Sequence, residues 1–149
     1  MSGIIERDPV TFEVVRSALS AACAEMKSII MRASFSPLLS LSADLSCALL
    51  DAAGNVVAQG EDIPVHLGAV PFTVRAALAA FPAETWQAGD GVMLNDPYAG
   101  GTHLPDMTLI VPIFEGNRRL GCLAFLSVGF TGLTSAASLR AARASPIIS

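Results

Sequence analysis

The sequence predicts an α+β domain: a long N-terminal helix, a β-hairpin, a second helix and a mixed sheet around a glycine-rich loop that carries His103 and Asp106. Three observations lead to this prediction. Apolar residues recur at steps of three and four between residues 14 and 30, which is helical spacing. Short apolar runs between residues 45 and 128 are separated by turn residues, which is typical of strands. A polar, glycine-rich loop at residues 94–106 separates two of these runs.

The first helix is predicted to run from Pro9 to about residue 33. Asp8 offers a side chain that can cap the free amides of the first turn. Pro9 has a preset φ that suits the first helical position. The Ser36-Pro37 pair is predicted to break the helical pattern, because the residue before a proline disfavours the α conformation.

The second helix is predicted to begin at Pro71 and to end near Phe81, before another proline. The preceding residues 63–68, which include His66, are predicted to form a loop. Strands are predicted from apolar runs that are bounded by turn residues. They comprise residues 45–51, 56–59, 92–94, 107–114 and 120–128.

Length and composition limit the classes of function. The 149 residues fit one domain. The net charge of −4 and nine scattered basic residues argue against a nucleic-acid-binding surface. Charged residues make up 15% of the chain, against about 25% in a typical soluble domain, and 52% of residues are hydrophobic. A small domain cannot bury this much apolar surface in one core, so we expect contacts with more chain or with a partner.

The chain is predicted to be cytoplasmic and not to enter a membrane. No apolar run reaches the roughly 18 to 20 residues of a membrane span. The N-terminus lacks the basic and apolar regions of a signal peptide. Cys23, Cys47 and Cys122 form no CxxC pair, which points to reduced thiols. We expect the three cysteines to be buried and unreactive.

The loop from Leu94 to Asp106 concentrates polar groups between two apolar runs. His103 is one of two histidines in the chain, and Asp106 follows it by three positions. Pro105 prevents a regular helix between them, so the loop can direct a nitrogen and an oxygen ligand to one point. The spacing alone allows a metal site, and a glycine turn with one hydrogen-bonded histidine remains the alternative.

Four ordered stretches carry a resemblance to a known family. They are residues 8–16 (DPVTFEVVR), 44–59 (DLSCALLD followed by GNVVAQ), 63–69 (IPVHLGA) and 94–106 (LNDPYAGGTHLPD). Together they resemble the hydantoinase B/oxoprolinase family. This family includes the B subunit of N-methylhydantoinase, the matching half of ATP-dependent 5-oxoprolinase, and subunits of acetone and acetophenone carboxylases. The likeness keeps its register from about residue 5 to residue 128.

The resemblance implies a function that belongs to a longer protein, because family members are several times longer than this chain. Residues 1–128 would be the N-terminal part of a B-type subunit of an ATP-dependent cyclic-amide hydrolase, which opens the ring of hydantoin or 5-oxoproline. The truncated chain is expected to be inactive alone. ATP would be handled by a partner A-type subunit, and the absence of a GxxxxGK[ST] loop in this sequence agrees with that. The alternatives are a fragment of an acetone or acetophenone carboxylase-type subunit, or a non-catalytic assembly module that docks on an A-type subunit.

The resemblance also implies roles for particular residues. By resemblance to the carboxylase branch of the family, His103 and Asp106 would bind a divalent, manganese-like metal together with a later histidine, and mixed nitrogen and oxygen ligation suits such a metal. His66 would face the substrate, and its alternative is a loop histidine bonded to backbone. Asp96 is predicted to be catalytic or, with Thr102, to orient the ligands. The alternative for Asp96 is a turn-capping carboxylate.

Residues 129–149 diverge from the family and are predicted to be a disordered tail. No histidine follows His103, so the third ligand is missing and the metal site is incomplete. Triplets read from the third base of the Val128 codon allow Arg, then His, Asp, an aliphatic residue and two glycines, in the family's order. One hypothesis is therefore that this tail is frameshifted sequence. As a fragment, the chain would leave the strand at residues 120–128 without neighbours and with an exposed edge.

Overall fold

The structure is a computed structural model and describes residues 8–35, 37–128 and 140–143. These residues form three α-helices: α1 (Pro9–Ala33), α2 (Pro37–Ser40) and α3 (Pro64–Ala80). Six strands form one sheet: β1 (Leu45–Asp51), β2 (Val56–Gln59), β3 (Asp90–Leu94), β4 (Asp106–Glu115), β5 (Arg118–Val128) and β6 (Arg140–Arg143). The predicted α+β class is confirmed.

The strands lie in the order β2-β1-β5-β4-β3-β6, and each described pairing is antiparallel. The prediction of a mixed sheet was therefore wrong in this detail. Short turns join β1 to β2 and β4 to β5, and such turns can join only antiparallel neighbours. Helix α3 connects β2 to β3. Strand β3 pairs with β4 and not with β2, so this connection does not produce a parallel pair of strands.

Strand β5 is central in the sheet, between β1 and β4. The prediction that this strand would lack neighbours was wrong, since both of its edges are paired within the chain. Arg140–Arg143, inside the predicted disordered tail, pairs with β3. Residues 129–139 and 144–149 lie outside the described residues, so the predicted disorder stays a prediction for them.

The predicted start and end of the first helix are confirmed. One carboxylate oxygen of Asp8 accepts a hydrogen bond from the Thr11 amide at 2.9 Å, and the other accepts one from the Thr11 hydroxyl at 2.6 Å. This is the capping arrangement that the Asp8-Pro9 pair predicts. No helix in the described part of the chain has both the length and the apolar character that crossing a membrane requires.

The second long helix begins seven residues before the predicted position. Helix α3 begins at Pro64, so the predicted loop at residues 63–68 is in fact its first turn, and Pro71 lies inside the helix. Either Pro64 or Pro71 could begin a helix, because the backbone amide of the first helical residue has no acceptor within the helix and proline lacks that amide hydrogen. An internal proline lacks one helical hydrogen bond, and packing against the sheet outweighs that loss here. The earlier start places His66, whose side chain is buried, in the first turn of α3.

The core lies between α3 and the sheet. Its buried members come from α3, from four strands and from the segment after α3: Ala48, Leu50, Val70, Val74, Ala77, Trp86, Val92, Ile110 and Cys122. Because side chains alternate along a strand, Ser46 shares the α3-facing side of β1 with Ala48 and Leu50. Cys47 points to the other side, where Cys23 of α1 is among its electrostatic neighbours.

All three cysteines are free thiols and buried, as predicted. Burial raises the pKa of Cys47 to about 12, with the Asp62 carboxylate adding to the rise. Burial is also the main cause that raises the pKa of Cys23 and of Cys122. Since the thiolate is the reactive form, none of the three is activated.

The folded chain is therefore expected to be inert to a thiol reagent such as Ellman's reagent at pH 8. All three thiols should react after unfolding in guanidinium chloride. The absorbance of the released thiolate counts the reactive groups in each state. Rapid reaction of one or more thiols in the folded chain would contradict the burial described here.

Candidate functional site

The glycine loop between β3 and β4 begins with a capped turn. Asp96 precedes the short 3-10 turn Pro97–Ala99, and its carboxylate accepts a hydrogen bond from the Tyr98 amide at 2.9 Å. Gly100 ends the turn with φ of 94°, in the left-handed region that favours glycine. Asp96 thus occupies the turn-capping position that was the alternative to a catalytic role.

One contact holds the loop against the body of the protein, and another closes the loop at its base. The Thr73 hydroxyl of α3 donates a hydrogen bond to the Gly100 carbonyl. A Cβ atom at Gly100 would lie 2.7 Å from backbone atoms of Phe72 and Thr73, so only glycine allows this approach. At the base of the loop, the buried Asn95 donates from Nδ2 to the Leu104 carbonyl at 2.9 Å. These contacts give the loop a fixed position over the end of the sheet.

The second half of the loop brings His103 and Asp106 together. The Asp106 amide donates to the His103 carbonyl at 2.9 Å, which closes a tight turn around Pro105. The His103 Nδ1 atom lies 3.3 Å from Asp106 Oδ2. The two side chains differ in exposure: 59% for His103 and 1% for Asp106. The pair therefore presents a buried carboxylate beside an imidazole that faces solvent.

The other histidine of the chain approaches the same carboxylate from inside. His66 Nε2 lies 3.9 Å from Asp106 Oδ2, and His66 Nδ1 lies 3.2 Å from the Ser46 Oγ atom. His66 and Ser46 are 3% and 0% exposed. The structure thus groups His66, His103 and Asp106 but keeps Asp96 at its turn. The alternative of a loop histidine bonded to backbone was wrong, because His66 lies in α3 and its ring contacts the Ser46 side chain. Its substrate-facing role stays a prediction.

The Asp106 carboxylate is in an unusual electrostatic position. Both of its oxygens are buried, and among the described residues neither accepts a hydrogen bond of normal geometry. The buried hydroxyls of Thr102 and Thr108 likewise have no partner there. Burial is the largest effect and raises the pKa of Asp106. His103 and His66 lower it, and the neighbouring Asp44 raises it further. Ser46 and Asp44 were not predicted as site residues, since only the fold brings β1 to this loop.

The residues present fit part of a divalent metal site. A buried carboxylate without hydrogen-bond donors is suited to accept a cation, and the Nδ1 atom of His103 adds a nitrogen ligand. Within the described ranges, no three His, Cys, Asp or Glu side chains are arranged to hold a metal ion. The described chain therefore offers two ligands, and other groups or water would complete the coordination.

A groove of about 1210 Å³ lies elsewhere, between α1 and the loop at residues 59–62. Two of its charged groups, Lys27 and Asp62, already have structural partners. Lys27 forms an ion pair with Asp62, which is 1% exposed and also accepts a hydrogen bond from the Cys47 amide at 2.9 Å. The groove holds none of the residues singled out from the sequence, and its contacts connect α1 to β1.

Comparison with known proteins agrees with the resemblance seen in the sequence. The family model described as hydantoinase B/oxoprolinase matches residues 8–129. An uncharacterized protein of Methanocaldococcus jannaschii is 38% identical over 119 residues, which cover 78% of this chain and 21% of that protein. The 5-oxoprolinase 1 of Arabidopsis thaliana is 37% identical over 111 residues, which cover 74% of this chain and 9% of that protein.

Solved structures show the same fold within larger chains. The ATP-dependent caprolactamase from Pseudomonas jessenii superimposes with a TM-score of 0.77 at 25% identity, over 93% of this chain and 27% of that chain. The nucleotide-free acetone carboxylase gives a TM-score of 0.73 at 24% identity, over 85% of this chain and 17% of that chain, which shows the fold alone. The present chain spans about a fifth of the length of its M. jannaschii relative. The chain belongs to the hydantoinase B/oxoprolinase family.

Proposed function

We propose that this chain is the N-terminal part of a B-type subunit of an ATP-dependent cyclic-amide hydrolase, which opens a ring such as that of hydantoin or 5-oxoproline. The chain is proposed to be inactive alone, because most of the length found in its relatives lies outside it. The relatives named 5-oxoprolinase and caprolactamase support an amide-bond reaction. The partner is proposed to be an A-type subunit that binds ATP, in the cytoplasm.

One observation carries the proposal: the buried Asp106 carboxylate, which accepts no hydrogen bond of normal geometry among the described residues, lies 3.3 Å from the exposed His103 imidazole. A carboxylate is costly to bury without hydrogen bonds. A fold that only needed to close the glycine loop would gain stability from an apolar or amide side chain here. The arrangement instead keeps a carboxylate oxygen available beside a nitrogen ligand.

The chain's own residues would have distinct tasks in the reaction. Asp106 and His103 are proposed to hold a divalent, manganese-like cation. When bound, such a cation supplies a Lewis acid that stabilises an amide oxyanion. The turn around Pro105 fixes the distance between the two ligands, and the contacts of Gly100 and Asn95 hold the loop that carries them. The exposure of His103 leaves one side of the pair open to substrate.

The geometry gives less support to the roles predicted for Asp96, Thr102 and His66. Asp96 stays a proposed catalytic residue, but its contact is the cap on the Tyr98 amide. Thr102 is proposed to support the ligands, and its buried hydroxyl has no hydrogen-bond partner in the described residues. His66 is buried against Asp106, so a direct contact with substrate would require it to become accessible.

Two alternatives remain for the activity. The fold is shared with acetone carboxylase, which keeps a ketone-carboxylase subunit as the second candidate. The third candidate is an assembly module without catalysis, which would dock on an A-type subunit. The exposed apolar side chains of α1, Val10 and Val14, favour contact with further protein in each case.

The activity is tested by grafting. Residues 8–128 replace the matching segment of the beta subunit of the P. jessenii caprolactamase, and ATP-dependent lactam hydrolysis is measured with the rest of that enzyme. We expect the graft to be active, and the same graft with His103→Ala to lose at least about 100-fold in kcat/KM. A graft that assembles with its partner but has no activity, with or without His103, would favour the assembly module. Equal activity in both grafts would contradict the proposed role of His103.

A further inference from the structure

A buried hydrogen bond connects Ser46 of β1 to His66 of α3. The Ser46 Oγ and His66 Nδ1 atoms are 3.2 Å apart, and both residues are at most 3% exposed. The bond joins a strand and a helix inside the core side of the sheet, where apolar side chains could fill the space. A buried polar pair of this kind calls for a reason beyond packing.

The geometry of His66 gives such a reason. With Nδ1 occupied by Ser46, the imidazole ring can rotate little, and its Nε2 atom points to Asp106 Oδ2 at 3.9 Å. His66 lies on the interior side of this carboxylate, whereas His103 lies on the solvent side, with 59% of its side chain exposed. Among the described residues, the His103 side of the carboxylate is therefore the side that faces solvent.

We infer that Ser46 and His66 form a positioning pair, which holds the Asp106 carboxylate in the orientation that it needs to share a divalent cation with His103. This inference rests on the proposed function, since it assumes that His103 and Asp106 bind the cation. The Ser46 hydroxyl donates to His66 Nδ1, and the Nε2–H group of His66 faces the carboxylate. Ligating carboxylates and histidines in proteins commonly depend on such outer partners. Neither Ser46 nor His66 touches the cation in this arrangement.

The opposite tautomer would have a different consequence. A proton on Nδ1 would be donated to Ser46, and the Nε2 lone pair would face a carboxylate oxygen. That contact is repulsive unless a cation lies between the two atoms. The tautomer of His66 therefore distinguishes a positioning residue from a direct ligand.

The tautomer can be measured in the metal-free wild-type chain, which contains only two histidines. Long-range proton–nitrogen correlation spectra of histidine-labelled protein at pH 8 report which ring nitrogen is protonated, and His103→Ala assigns the two rings. We expect His66 as a single Nε2–H tautomer. A proton on Nδ1, or rapid exchange between both tautomers, would overturn the inference without requiring a folded variant.

Variants connect the pair to cation binding, with Mn²⁺ alone as the probe and its electron paramagnetic resonance signal as the measure of binding. Ser46→Ala is expected to lose the single tautomer and to weaken Mn²⁺ binding roughly 10- to 100-fold. Ser46→Thr, which keeps the hydroxyl, should show the single tautomer and the Mn²⁺ affinity of the wild type. Ser28→Ala on α1, where the lost hydroxyl contacts only Arg32 among the contacts described, is the matched control and should change neither.

The outcomes distinguish the proposed metal function of His103 and Asp106 from the positioning role of Ser46 and His66. If His103→Ala leaves Mn²⁺ binding unchanged, or the wild type binds none, the proposed metal function fails. If the wild type binds Mn²⁺ through His103 but Ser46→Ala binds equally well with its fold intact, the positioning role fails and the metal function stands.

Discussion

Gly121→Ala is expected to cause the largest loss of stability of any single methyl addition in the sheet. Gly121 lies on the central strand β5, opposite Asp51 of β1. A Cβ atom there would lie 2.1 Å from the Leu50 carbonyl oxygen, whereas ordinary van der Waals contact begins near 3.4 Å. Because the obstacle is backbone, β1 and β5 must separate to admit the methyl group. We expect the free energy of unfolding to fall by about 3 kcal/mol.

Urea denaturation followed by circular dichroism measures this loss. Gly91→Ala on β3 is the matched control, since its added Cβ would first meet the flexible Leu109 side chain at 3.3 Å. Gly91→Ala should lower the free energy of unfolding by less than about 1 kcal/mol. Equal midpoints for the two variants would show that β1 and β5 are not paired in the described register.

Asp106→Asn is expected to stabilise the metal-free fold at pH 7.5, by about 1 kcal/mol. Burial raises the pKa of the wild-type carboxyl group, and among the described residues its oxygens accept no hydrogen bond of normal geometry, so ionising it inside the fold is unfavourable. The amide has nearly the same shape and carries no charge. A substitution that stabilises the fold while removing a ligand is typical of a position kept for function.

The pH dependence follows from the direction of the pKa shift. Burial raises the pKa of Asp106 in the folded state above the ordinary value of an aspartate. The stability that its proton contributes is fully present below the unfolded-state pKa and is lost as pH rises through the folded-state pKa. The advantage of Asp106→Asn should therefore be small near pH 4 and larger at neutral pH. Thermal melts in EDTA at the two pH values measure this difference in stability. Glu61→Gln, at an exposed position, is the control. A lower melting temperature for Asp106→Asn at pH 7.5 would show that the carboxylate is structural.

Local sequence patterns were sufficient for most of the secondary structure. The Asp8-Pro9 pair and the apolar spacing predicted α1, and the apolar runs predicted β1 to β5, because these elements depend on neighbouring residues. The start of α3 was misplaced because Pro64 and Pro71 both satisfy the rule for a first helical turn. Only the packing of α3 on the sheet decides between them.

The site could be predicted only in part from the sequence. His103 and Asp106 lie three residues apart, and Pro105 between them makes their convergence a local property. The approach of His66 and Ser46 depends on the α3 crossover and on the pairing of β1 with β5. No spacing in the sequence contains that information. The family resemblance marked the stretch around His66 as important but did not show that it lies behind Asp106.

The most direct test of the central claim is the affinity of the purified chain for Mn²⁺, with and without the His103 side chain. We expect weak, reversible binding with a Kd of about 0.1–1 mM, because two protein ligands leave most of the coordination to water. His103→Ala should weaken this binding at least tenfold. Binding that is unchanged in His103→Ala would contradict a site at His103 and Asp106. Tight, stoichiometric binding that depends on His103 would instead contradict the account of a two-ligand, incomplete site.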